Sequence, residues 1–227
     1  NKNLLENFYS MEAVKELRAI ADVQLNGTDA PLSGDALVAA AQDVDIILSD
    51  RLAPGTAAVF EQLPNLAVYM RCAVDIRNID VAAASKAGIL VLRNSAGYGD
   101  AVAETALGLV IALGRRINIC DRLYKQGEVD QPMVLGKQLA GSTMGIIGYG
   151  EIGNRIADLA VACRMKILIF DPYKRIVNGT VGQADLDTVL GCDFVICAAY
   201  ATPETENMMN RETFAKMRPS AYFVNIS

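Results

Sequence analysis

The chain has 227 residues, about one and a half times a typical domain of ~150 residues, which points to two lobes. Apolar residues make up 52% and charged residues 21%, a balance that excludes disorder and supplies a substantial core. The formal net charge of -5 argues against nucleic acid or an anionic membrane as the main partner.

Short apolar runs alternate with helix-like segments. The strand candidates, in order, are Asp22–Leu25, Asp45–Leu48, Ala67–Arg71, Ile89–Leu92, Thr143–Ile147, Lys166–Phe170, Asp193–Ala198 and Tyr222–Ile226. Helical patterns lie between them at Asp35–Ala41, Asp80–Ala87 (closed by Gly88), Glu151–Cys163 and Asn210–Lys216. Continuous apolar strands separated by helices predict parallel sheets covered on both faces. The fold class is therefore α/β, with a doubly wound parallel sheet. Asp100–Gln126 reads as one long helix, rich in Ala, Gly and Leu in its first half, with Gly127 beyond its end. A domain boundary just before it gives lobes 1–98 and 99–227.

Five cysteines (Cys72, Cys120, Cys163, Cys192, Cys197) form no Cys-x-x-Cys pair. Free thiols in a reducing, cytoplasmic compartment fit that pattern. The longest strongly apolar stretch, Ala106 to Leu113, is under half the ~20 residues that a membrane helix needs. The N-terminus lacks the basic start of a signal peptide and lacks Met, so a trimmed chain is expected. Histidine is absent, which removes the commonest general acid/base and metal ligand; no metal site is expected.

The motif that carries chemistry is Gly148-Tyr149-Gly150-Glu151-Ile152-Gly153, set between the strand Thr143–Ile147 and a helix, with Asp171 ending the next strand 23 positions after Gly148. Gly148 permits a tight turn, Gly150 allows the backbone to approach a pyrophosphate, and Gly153 allows close helix–strand packing. The helix N-terminus then faces the anion. Asp171 would accept hydrogen bonds from an adenosine ribose and repel a 2′-phosphate, which favours NAD over NADP. Lys174 and Arg175 weaken that preference. A methyltransferase shows a similar turn and acidic strand end, so the motif alone leaves the reaction open.

Five stretches in order carry a wider resemblance: Arg71-Cys72-Ala73-Val74-Asp75-Ile76-Arg77-Asn78-Ile79-Asp80, Ala101-Val102-Ala103-Glu104, the glycine motif, Thr202-Pro203-Glu204-Thr205 and Phe223-Val224-Asn225-Ile226-Ser227. The chain resembles the NAD-dependent D-isomer-specific 2-hydroxyacid dehydrogenases. That resemblance implies a flavodoxin-like substrate lobe and a Rossmann-like NAD lobe, hydride transfer between NAD(H) and a D-2-hydroxy acid/2-keto acid pair, and a homodimer. It implies that Ala73, Val74 and Asp75 bind the substrate carboxylate and that Val74 also approaches the nicotinamide. Tyr149, Glu151 and Ile152 would join the glycines around the pyrophosphate, Asp171 would meet the ribose, and Ala199, Ile226 and Ser227 would line the cofactor. The catalytic arginine, glutamate and histidine of the family are expected after Ser227, so no catalytic residue is assigned within the chain, which is read as incomplete at both ends.

Four positions depart from the family pattern. Asp75 stands at a usual Gly, Ala198 at a frequent His, Tyr200 at a frequent Pro and Gly99 at a frequent Asn. Asp75 would orient Arg71 or Arg77, or point away. Arg51 and Glu104 are weighed as chemical groups against surface and helix-start roles, and Tyr98 as a packing residue. A non-enzymatic NAD-binding sensor of the same fold is the alternative reading.

Overall fold

A computed structural model describes residues 10–95, 97–128, 135–177 and 179–227. The chain divides into two compact units, Asn1–Ser95 and Ala96–Ser227.

The first unit runs α1 (Met11–Arg18), α2 (Gly34–Ala40), β1 (Ile46–Ser49), α3 (Ala57–Phe60), β2 (Val68–Arg71), α4 (Val81–Lys86) and β3 (Leu90–Arg93). Its strands form a parallel sheet in the order β1-β2-β3, with Ile46 beside Val68 and Val68 beside Leu90. Ile47 and Tyr69 point to one face, where Leu37, Val38, Val59, Phe60 and Ala84 cover them. Tyr69 is fully buried, donates its hydroxyl to Ala53 O at 3.3 Å and meets Phe60 edge-on at 5.4 Å. Burial raises its pKa.

The expected cover on both faces does not hold for this sheet. Strand side chains alternate, and Ile46, Leu48, Leu90 and Leu92 on the opposite face are exposed, because the described helices of this cluster gather on the Tyr69 side. The strand expected at Asp22–Leu25 is also absent, since these residues pair with no other strand among those described. Gly88 does close α4, with φ +78°.

The second unit comprises α5 (Gly99–Gly114), α6 (Ile117–Lys125), β4 (Thr143–Ile147), α7 (Glu151–Ala162), β5 (Lys166–Phe170), β6 (Val181–Gln183), α8 (Leu186–Leu190), β7 (Phe194–Cys197), α9 (Arg211–Ala215) and β8 (Tyr222–Asn225). All five strands are parallel, in the order β6-β5-β4-β7-β8. Ala103, Ala106 and Val110 of α5 and Ile156, Ala157 and Ala160 of α7 pack on Met144, Ile146, Ile167, Ile169 and Ile196. Val189 and Leu190 of α8 cover Ile147 and Val195 on the other face. This sheet is doubly wound, and β7 is buried along its whole length, as a strand covered on both faces must be.

The expected single helix Asp100–Gln126 is two helices. Gly114 O accepts a hydrogen bond from Lys137 N–H at 2.7 Å, so the carbonyl is committed to a tertiary bond rather than to the next helical turn. Arg116 then adopts φ +57°, a left-handed conformation that a non-glycine residue holds only when its surroundings impose it. Gly114 itself lies against Phe194, whose Cζ would be 3.0 Å from an added Cβ.

Asp193 fastens the N-terminal ends of the strands. Its Oδ1 takes Lys137 Nζ at 2.7 Å and Arg218 Nη1 at 3.2 Å, and its Oδ2 accepts from Thr143 N–H and Oγ1–H at 2.9 Å each. Its carbonyl accepts from Tyr222 N–H at 3.0 Å. Burial opposes ionisation of this carboxyl, but the Lys137 ammonium and the Thr143 donors outweigh it and hold the group well below the usual carboxylate range. None of the five cysteines is in a disulfide; Cys192 and Cys197 are buried and Cys120 is exposed.

Replacing Asp193 should therefore unfold the protein more readily. Asp193→Asn is expected to cost about 2–4 kcal/mol, because it strands a half-buried lysine without its partner. A carboxyl with a depressed folded pKa stabilises above its ordinary value of ~3.9 and loses that contribution as pH falls through the folded value. Thermal melts should thus show a wide gap between wild type and variant at neutral pH and a narrower one below about pH 4.

Candidate functional site

β4 delivers the chain into Gly148, whose φ of +91° suits glycine. A Cβ there would lie 2.8 Å from both N and Cα of Ala199, and one at Gly153 would lie 2.1 Å from Gly148 O. These two glycines are thus closed against backbone. Gly150 differs: its Cβ would meet only the Tyr200 ring, at 3.8 Å, so this side of the turn is open. α7 begins directly after Gly150 with no side-chain cap, as do α2, α3, α5 and α6 at their own starts, while Ser10, Asp80, Asp185 and Asn210 cap α1, α4, α8 and α9. The first helical bond runs from Asn154 N–H to Gly150 O at 3.1 Å. The amides of Glu151, Ile152 and Gly153 precede it, at the positive end of the helix.

Asp171 follows β5 and reaches back to the turn. Its Oδ2 accepts from Tyr149 N–H at 2.8 Å, and its Oδ1 accepts from Tyr173 N–H at 2.9 Å and Lys174 N–H at 3.1 Å. The carboxylate therefore clasps the glycine turn to the next loop, a positioning role that spacing in the sequence does not reveal. Tyr149 turns its hydroxyl to Asn154 Oδ1 at 3.1 Å. Ala199 follows β7, and Ile226 N–H donates to Cys197 O at 3.0 Å. Ser227 bonds Asn225 Oδ1 through its N–H at 3.1 Å and its hydroxyl at 2.8 Å. Gly148, Asp171, Ala199, Ile226 and Ser227 thus share the C-terminal edge of the sheet. Gly148 and Ala199 face each other where the strand order reverses between β4 and β7, the customary ligand position of doubly wound sheets.

In the first unit, Ala73, Val74 and Asp75 follow β2. The Ala73 carbonyl accepts from Asn94 N–H at 3.2 Å and the Val74 carbonyl from Arg93 Nη1 at 3.1 Å. The loop is thereby held by its oxygens. Asp75 pairs with Arg77, its Oδ2 lying 3.0 Å from Nη2, and the hydrogen bonds from Arg77 lower its pKa. Arg71 has other partners. It is 3% exposed and donates to Asn78 Oδ1 and Arg51 O, while its Nε has no hydrogen bond among the described residues. Arg51, Arg71, Asp75, Arg77 and Asn78 line a shallow pocket of about 330 Å³. Arg51, Tyr98 and Glu104 are exposed. Among the described residues, no cluster of three His, Cys, Asp or Glu side chains is placed to hold a metal ion, and no helix is long and apolar enough to cross a membrane.

Comparison with known proteins adds to this geometry. Residues 107–227 match the family described as "D-isomer specific 2-hydroxyacid dehydrogenase, NAD binding domain". The chain is 34% identical over 203 residues to a hydroxypyruvate reductase of Thermotoga maritima, covering 89% of this chain and 66% of that protein. It is 30% identical over 230 residues to a D-3-phosphoglycerate dehydrogenase of Synechocystis sp., covering 100% of this chain and 41% of that protein. The apo-structure of D-lactate dehydrogenase from Escherichia coli superimposes with a TM-score of 0.71 at 26% identity, over 83% of this chain and 61% of that one. The chain thus spans only part of the length of these relatives. A doubly wound sheet with its glycine turn at the β4–β7 reversal and the family match across that unit lead to one conclusion: the chain belongs to the D-isomer specific 2-hydroxyacid dehydrogenase family.

Proposed function

We propose that the chain forms the dinucleotide-binding and substrate-anchoring parts of an oxidoreductase that moves a hydride between NAD(H) and a D-2-hydroxy acid/2-keto acid pair. The observation that carries this reading is the turn Gly148–Gly153, closed against backbone at its two outer glycines and open at Gly150. NAD, when bound, supplies the hydride acceptor. The residues present fit it: the uncapped α7 offers the amides of Glu151 and Ile152 to a pyrophosphate, and Tyr149 sets the turn through its bond to Asp171. Asp171 retains lone pairs beside its three backbone bonds for a ribose hydroxyl, and its charge opposes the extra phosphate of NADP. Ala199, Ile226 and Ser227 line the same edge.

The substrate carboxylate is assigned to the backbone N–H groups of Ala73, Val74 and Asp75, whose loop is already braced through its carbonyls. Pairing with Arg77 keeps the Asp75 charge engaged locally, which lessens its repulsion of an incoming anion. No proton-transfer residue is assigned within residues 1–227. Residues 1–95 form the substrate lobe in this reading and residues 96–227 the NAD lobe. The protein is further read as a cytoplasmic homodimer. Cysteines outside any disulfide suit a reducing compartment, and Ile117 and Tyr124 on α6 give an exposed apolar surface for a second copy. Nucleic acid and membranes are not expected partners of a chain with net charge -5.

Titration with NADH, alone and in the presence of hydroxypyruvate, tests the reading. Saturable NADH binding supports it, and absence of NADH binding refutes it. Gly150→Ala should keep the melting temperature yet weaken NADH binding roughly tenfold, since the new methyl stands only where the ligand approaches. Gly153→Ala should instead destabilise the fold by more than about 2 kcal/mol through its clash with Gly148 O. Asp171→Asn should bring the NAD and NADP dissociation constants closer together, because it removes the charge that opposes a 2′-phosphate. An unchanged ratio would take Asp171 out of the cofactor site.

A further inference from the structure

The glycine turn carries a feature that its anion-binding geometry does not explain: the first helical residue of α7 is a glutamate. Side chains on a helix lean toward its N-terminus, so the carboxylate of Glu151 would by default lie beside the very amides that a pyrophosphate needs, and compete for the positive helix end. Arg155 counters this. Its Nη1 lies 3.0 Å from Glu151 Oε1 and 3.3 Å from Glu151 O, which draws the carboxylate back along the helix by one turn. The guanidinium is itself anchored from a second element, because its Nε donates to Asp100 Oδ1 at 2.6 Å. Buried Gly99 at the start of α5 makes the space: a Cβ there would lie 3.1 Å from both Cζ and Nη1 of Arg155. The hydrogen bond and charge of Asp100 raise the Arg155 pKa, so the cation persists at any working pH.

We propose that Arg155 is a positioning residue for dinucleotide binding, held by Asp100, that keeps the Glu151 carboxylate turned away from the pyrophosphate seat at the N-terminus of α7. This inference rests on the dinucleotide reading above. It assigns the pair Gly99–Asp100 a purpose in the cofactor site: glycine leaves room for the guanidinium, and aspartate fixes its angle.

The test is NADH affinity in purified variants, measured at low and high salt with melting temperatures as a check on folding. Arg155→Met should raise the NADH dissociation constant about five- to tenfold at low salt, as expected for an unscreened charge a few ångströms from a phosphate. The penalty should shrink at high salt. Adding Glu151→Gln to Arg155→Met should restore wild-type affinity or better, a rescue that a merely structural role for Arg155 would not produce. Arg155→Lys, which keeps a cation within reach of Glu151, should change affinity by no more than about twofold. Unchanged affinity in Arg155→Met, or a loss that Glu151→Gln fails to reverse, overturns the inference while NADH binding by the wild type leaves the dinucleotide reading standing. A wild type that binds no NADH removes both.

Discussion

Everything in the second unit depends on one close approach of backbone to backbone. The turn after β4 passes so near to Ala199 and to the first turn of α7 that Gly148 and Gly153 leave no volume for a side chain. That contact sets the angle at which α7 leaves the sheet, and with it the direction of the amides of Glu151 and Ile152. It also fixes the gap between β4 and β7, where strand order reverses. Asp171 secures the same turn from the other side through Tyr149 N–H, so the turn is gripped between the strands that flank β4. A binding edge of this kind needs little adjustment when a ligand arrives, because its donors are already oriented.

The second unit was legible because its signals are local. Strand, glycine spacing, helix and acidic residue all fall within one short segment, and each has one geometric solution. What escaped the sequence is non-local. The break at Arg116 follows from a bond between Gly114 and Lys137 that no periodicity encodes. β6 is three residues long and includes Gly182, too short for an alternating pattern to register. Asp22–Leu25 has the composition of a strand, but a strand exists only when a neighbour accepts its hydrogen bonds. The clasping role of Asp171 and the shared guanidinium of Arg155 likewise depend on partners set by tertiary packing.

The first unit shows a different economy. Its loop after β2 carries several charged residues, and the structure accommodates them by pairing Asp75 with Arg77 two residues away and by burying Arg71. A buried guanidinium is costly unless its donors find acceptors. Arg71 meets this condition in part, through Asn78 Oδ1 and Arg51 O. It thereby joins the ends of β1 and β2 to the start of the next segment, so the loop is shaped by a cation acting as a multi-point brace.

The position of Asp193 has a consequence for how such a protein can change. It gathers Lys137, Arg218, Thr143 and Tyr222 at the N-terminal ends of the strands, a strand's length from the edge where Gly148 and Asp171 stand. Distant sites with no shared partners contribute nearly additively. The stability carried by the Asp193 cluster is thus set at the end of the strands away from the glycine turn. A lineage, or a designer, can harden the fold there with little disturbance of the turn at Gly148.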